Sequence, residues 1–161
     1  MNGKLTIGKI DGNFFTGLVI ENILLTYEND TVAFIGELDV SYNLRPLLNG
    51  TVDVPETTIE NPYFYLEQYN DSTWNVQKII KPPPQKQDTT PSSGMDLRFS
   101  DISINNGKIE INTPDTIIPR EVRNLNTQLS FQSEGNELSA ALNEFSLSTV
   151  QPDFGLNQLK F

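Results

Sequence analysis

Carboxylates are the best-supplied reactive groups in this sequence, with 21 Asp and Glu against 11 Lys and Arg in 161 residues. A carboxyl pair flanking a sugar bond does acid and base work, and Glu37 with Asp39, or Asp53 with Glu56, are the candidates by spacing. Both sets lie on a polar strand parity or in a turn, where solvated side chains that discourage stray edge pairing account for them better. Asp11, Asn13, Asn29 and Asp30 carry calcium-type oxygens but lack the regular acidic spacing of an EF-hand loop. Asn29-Asp30-Thr31, Asn49-Gly50-Thr51 and Asn70-Asp71-Ser72 match the glycosylation acceptor pattern, which is short enough to arise by chance, and turn chemistry explains them better. Tyr63, Tyr65, Tyr69 and Trp74 fall close together and offer either a sugar-stacking surface or core packing. The chain has no Cys and no His, which removes thiol nucleophiles, the usual zinc sites and histidine bases. Gly-rich phosphate loops are absent, and no cofactor or metal is implied.

The elements that must position these residues read as strands. Leu18 to Tyr27 alternates at Leu18 and Ile20, slips by one residue across Glu21 and Asn22, and resumes at Ile23, Leu25 and Tyr27, the pattern of a bulged strand. The phrase returns at Leu97 to Ile104 and, more loosely, at Leu142 to Leu147. Thr31 to Tyr42 places Val32, Phe34, Leu38, Val40 and Tyr42 on one parity, and Leu125, Leu129 and Phe131 do the same later in the chain. Pro46 and Asn49-Gly50 bracket one short helical turn. Tyr63 to Tyr69 and Thr73 to Ile80 read as a hairpin, and Asn105-Asn106-Gly107 as a second hairpin turn. Segment 1–80 is thus a first β unit, 81–95 a Pro-rich linker or loop, and 96–161 a second β unit continuing the sheet.

This predicts an all-β fold with one helical turn, an antiparallel meander of roughly nine or ten strands. The hydrophobic share is 37%, modest for a thick core. One helical turn cannot cover so many half-apolar strands, so either two sheets close as a β-sandwich or the apolar face is an open groove. The net charge of −10 and pI near 4.3 argue against nucleic acid or an anionic lipid surface as the main electrostatic partner. No apolar run is long enough to span a bilayer. The start reads as a boundary inside a longer protein.

The order of features resembles the N-terminal region of the AsmA and TamB superfamily of Gram-negative envelope proteins. The likeness is carried by "GKLTIGKIDG", "GLVIENILLTY", "VAFIGELDVSYNLRPLLNGTVDV", "IENPYFYLEQYNDSTWNVQKII" before the Pro-rich stretch, and "RFSDISINNGKIEI" after it. The resemblance implies a strongly twisted, taco-like β-groove in the periplasm, anchored to the inner membrane by a segment outside this sequence. It implies a non-enzymatic role: binding phospholipid or fatty acyl chains for transport between membranes, or supporting outer-membrane protein assembly with a barrel partner. The wall residues expected on this reading are Leu18, Ile20, Ile23, Leu25, Val32, Phe34, Leu38, Val40, Tyr42, Leu97, Phe99, Leu125, Leu129 and Phe131. The competing expectation is a β-sandwich carbohydrate-binding or adhesion module using Tyr63, Tyr65 and Trp74.

Overall fold

A computed structural model describes residues 3–70, 72–79, 95–135 and 137–160. The predicted linker falls almost wholly outside them. Among the described residues nine strands form one sheet: β1 Lys4–Asn13, β2 Gly17–Tyr27, β3 Asp30–Asn43, β4 Thr51–Glu60, β5 Tyr63–Glu67, β6 Asp96–Asn112, β7 Glu121–Glu134, β8 Glu137–Val150 and β9 Phe154–Lys160. The fold is all-β, and the single sheet replaces the two sheets that a sandwich requires. Segments 1–80 and 96–161 both contribute strands to it.

The spatial order is β1-β2-β3-β4-β6-β7-β8-β9, with β5 continuing the line of β4 between β3 and β6. Neighbours are antiparallel except at one junction, where β6 runs parallel to both β4 and β5. A pure meander is therefore corrected at that point. The reason is the long connection between β5 and β6, which returns the chain to start β6 beside the start of β4, as a parallel pair demands.

Several local expectations change with it. Asp11-Gly12-Asn13 has the composition of a turn yet belongs to β1, and the turn follows it, closed by the Thr16 amide donating to the Asn13 carbonyl at 3.0 Å. Glu28 and Asn29 do make the tight turn between β2 and β3, both with positive φ (50° and 73°). Pro46–Asn49 is a 3-10 turn ended by left-handed Gly50. Thr73 to Ile80 is not a strand: Asn75–Ile79 forms a short helix, α1, with Asn75 and Ile79 buried four residues apart on one side. Asn105-Asn106-Gly107 is no turn either, because β6 runs straight through it for 17 residues. A two-residue hairpin turn of this kind needs two positive φ values, and here Asn106 alone is left-handed, at 54°.

The phase slip at Asn22 is real, yet it is not an inserted residue. The register of β2 stays constant through it on both sides: Ile20 faces Ile10 and Leu38, and Ile23 faces Ile7 and Ile35. Asn22 is left-handed, at φ 55°. A single left-handed residue between extended neighbours turns the chain over, so Ile20 and Ile23 share a face that regular alternation would deny them. The neighbours slip at the same level. β4 and β5 meet at left-handed Asn61 (φ 51°), β6 has Asn106, and β7 has Asn124 (φ 51°), while β1 and β3 place Gly8 and Gly36 there.

The glycines make room for the asparagines. A Cβ at Gly8 would lie 2.9 Å from Asn22 Cβ, and one at Gly36 would lie 3.2 Å from the Glu60 carbonyl oxygen and 3.5 Å from Asn61 Cβ. Side-chain hydrogen bonds tie the row together. Asn106 Nδ2 donates to Asn61 Oδ1 at 2.7 Å, and the Asn106 amide donates to Asn126 Oδ1 at 2.8 Å.

Candidate functional site

Because every strand from β1 to β7 changes phase at this level, the sheet keeps one apolar face throughout. Ile10, Ile20, Leu38, Ile59, Ile104, Thr127 and Phe145 stand side by side across it, and Leu159 extends that row onto β9. Beyond the asparagine row, Leu5, Leu25, Ala33, Phe64, Ile109 and Val122 form another. Ile35, Ile59, Phe64, Ile104, Ile109 and Leu125 line one apolar recess between the two. Ile104 and Ile109 are five residues apart and would oppose each other in an unbroken strand; the slip at Asn106 puts both in the recess. A second matched slip, around Pro55-Glu56 in β4 and Ser100-Asp101 in β6, keeps Val54 beside Phe99 on the same face as Thr57 beside Ile102. Pro55 thus sits at a bulge inside the sheet.

Among the expected wall residues, Leu18, Ile20, Ile23, Leu25, Leu38, Val40, Phe99, Leu125, Leu129 and Phe131 share this face through their register partners. Leu97 pairs with Val52 next to them, and the Phe99 and Phe131 rings lie 6.3 Å apart. Tyr42 sits at the end of β3, its hydroxyl donating to the Phe14 carbonyl at 2.7 Å, in a recess with Phe15, Leu44 and Pro55. Phe34 does not belong and Val32 stands apart. Phe34 pairs with Leu24 and Tyr63 on the opposite face; its parity is that of Leu38, but Gly36 lies between and reverses it. Val32 is the extra residue of a bulge, between the pairs Thr26–Thr31 and Leu25–Ala33, and is buried beside Tyr65, Tyr69 and Asn75. Ile35, Ile59, Phe64, Ile102, Ile104 and Ile109 take the place of Val32 and Phe34, and the triplets Ile35-Gly36-Glu37 and Glu60-Asn61-Pro62 are the signal for them.

The described residues do not close over this face. Among the described residues only Val32, Val54, Pro62 and Ile79 are buried apolar side chains, whereas Leu5, Ile10, Phe64 and Phe154 are 51%, 57%, 38% and 57% exposed. At one corner α1 covers it: Leu25 and Ile79 both approach Gly3, whose Cβ would lie 3.1 and 3.4 Å from their side chains.

The other face is polar and carries the acidic groups. Glu37 is exposed there beside Glu21 and Glu60, and Asp53 accepts a hydrogen bond from Asn43 at 2.7 Å. The tightest cluster was not among the expected carboxylates. Lys108 Nζ lies 2.6 Å from Glu110 and 3.1 Å from Glu121, and Arg123 lies 2.6 Å from the second oxygen of Glu121. The Tyr63 hydroxyl donates to Glu110 at 3.0 Å. The hydrogen bond from Arg123, followed by Lys108, holds Glu121 at a pKa of about 2, and Lys108 with Tyr63 lowers Glu110. Both carboxyls are held ionised, the reverse of what a general acid needs. Among the described residues no group of three potential ligands is set to hold a metal ion. Tyr63 and Tyr65 share this polar face, while Trp74 immediately precedes α1 and bridges Gln68, apart from their strand.

A pH dependence follows from Glu121. Its folded pKa lies below the ordinary 4.5, so its stabilisation is present above that value and is lost as pH falls toward 2. In Arg123→Gln the Glu121 carboxyl, followed by NMR, titrates closer to the ordinary value. The stability gap between variant and parent is then full at neutral pH and vanishes in strong acid; an unmoved titration would show that Arg123 does not hold the charge.

Comparison with known proteins finds no matching family model, no similar curated protein and no similar solved structure.

Proposed function

We propose that this chain is a non-enzymatic lipid-handling module whose apolar sheet face, turned inward as a trough, receives acyl chains. What carries the reading is the unbroken apolar face across the sheet, kept in phase by a row of asparagines and glycines and left partly open. A chain of methylenes needs no directional contact, and at about 0.8 kcal/mol per buried CH2 even partial enclosure gives useful affinity. The open rows match that demand: long, mostly aliphatic with Phe64, Phe145 and one hydroxyl at Thr127, and without charge. The likeness of its motifs to the AsmA and TamB superfamily agrees, and on that reading the module works in the periplasm. There it passes phospholipid between membranes, or supports a barrel partner in outer-membrane protein assembly. No helix among the described residues is long and apolar enough to cross a membrane.

Native mass spectrometry of the purified protein is expected to find retained phospholipid, and a fluorescent fatty acid to bind. Leu38→Asp and Leu129→Asp put a carboxylate into the acyl path and are expected to weaken probe binding roughly tenfold or more, about 1.4 kcal/mol. Gln128→Asp, one residue from Leu129 but on the polar face, leaves it unchanged. Absence of both lipid and probe binding, or equal loss in all three variants, overturns the proposal.

A further inference from the structure

We infer that copies of this chain join head to tail, β9 of one copy adding in parallel to β1 of the next so that the apolar face continues across the junction. Among the described residues β1 pairs only with β2, and β9 only with β8. Within the described residues, two rows of backbone donors and acceptors thus have no strand beside them, the setting in which strand addition occurs. Neither strand contains proline, and Leu5, Ile7 and Ile10 on β1 are 51%, 41% and 57% exposed.

Direction and spacing select β9 as the partner. The parallel step between β4 and β6 leaves β1 and β9 running the same way, so copies set side by side with their apolar faces together present β9 parallel to β1. On β1 the apolar-face residues are Leu5, Ile7 and Ile10, and on β9 they are Phe154, Leu156 and Leu159, fixed by their partners Thr149, Leu147 and Phe145. Both sets have the spacing i, i+2, i+5, and both strands slip between the second and third members, at Gly8 and at Gln158 (φ 142°). One register therefore brings Leu5 to Phe154, Ile7 to Leu156 and Ile10 to Leu159. The same register sets Lys4 against Asp153 and Asp11 against Lys160, opposite charges in both cases. The chain carries −10 overall, yet its two edge strands hold three lysines against one aspartate, so the ends lack the acidic charge that would hold copies apart. A junction of unlike edges leaves one free edge of each kind on every open row of copies, so growth continues beyond the dimer until a ring closes.

The inference rests on the sheet edges and not on acyl binding, so it is tested on delipidated protein. In sedimentation velocity the parent chain is expected to gain mass steadily with concentration, passing beyond the dimer. Ile7→Pro blocks β1 and Leu156→Pro blocks β9, and each alone is expected to stay monomeric. Mixed in equal amounts they form a dimer and stop there, because each retains the edge that the other lacks. Circular dichroism confirms that the variants are folded; if proline unfolds either strand, Ile7→Asp and Leu156→Asp serve the same mixing test. A parent chain monomeric at every concentration, a Leu156 variant that dimerises alone, or folded variants that ignore each other overturns the inference.

Discussion

Asn22→Val and Asn61→Val each lower stability by roughly 1–2 kcal/mol, the cost of forcing a side chain with a bulky Cβ into left-handed backbone. For a chain of this size that is a fall in Tm of about 2–8 °C. Asn22→Gly costs less than half as much, since glycine takes φ 55° without strain and loses only the side-chain contacts. The valine variants have one escape, which is to return position 22 to ordinary extended backbone. That would turn Ile23 and Leu25 onto the polar face, away from Ile35 and Ala33, their partners on β3. Losing the partial burial of two aliphatic side chains costs about as much as the strain or more, so the strained register is kept. Thermal unfolding by circular dichroism separates these cases. Equal losses for Asn22→Val and Asn22→Gly would show that the left-handed backbone is not what the asparagine supplies.

The same residues explain how far the sequence could be read. Alternation in Leu18 to Tyr27 and Thr31 to Tyr42 marks strands, because half-buried strands must write apolar residues at period two. The slip at Glu21-Asn22 is visible too, but an inserted residue and a left-handed one leave the same trace in one strand; only the unshifted partners on β1 and β3 separate them. In β3 the slip is silent. Apolar residues occupy both parities before Gly36, as Val32, Phe34 and Ile35, so the even set looks continuous with Leu38 although Phe34 lies on the other face. Asn106-Gly107 imitates a hairpin because the dipeptide reports a tolerance for positive φ and not how many residues use it. The parallel pairing of β4 with β6 leaves no periodic mark at all, since it depends on where a long connection returns the chain. The Lys108, Glu110 and Glu121 cluster is equally hidden, being assembled from two strands by register.

Asn75→Leu removes the side chain that closes the edge of β5, with a loss of roughly 2–5 kcal/mol. Beyond Phe64 no described residue pairs with the strand on the β3 side. There Asn75 stands in for one: its Nδ2 donates to the Tyr65 carbonyl at 2.8 Å, and its Oδ1 accepts from the Glu67 amide at 3.1 Å. Asn75 is only 2% exposed, so replacing it with leucine of similar size keeps the site dry and leaves two backbone groups unpaired, each costing about 1–3 kcal/mol. Oδ1 also accepts from the Val76 amide at 2.9 Å, so α1 loses part of its own start. Asn75→Asp keeps the acceptor and loses the donor, and is expected to fall between leucine and parent. Hydrogen exchange supplies the local readout. The Glu67 amide exchanges faster in Asn75→Leu, while the Ile111 amide, which donates to the Arg120 carbonyl at 2.8 Å, keeps its protection relative to global stability. Equal acceleration of both would mean that the variant unfolds the whole sheet and that Asn75 has no local role. The consequence reaches the apolar face, because α1 also carries Ile79, 1% exposed beside Leu25. A loosened α1 uncovers Leu25, so in Asn75→Leu an acyl probe gains access to that end of the face even as the protein becomes less stable.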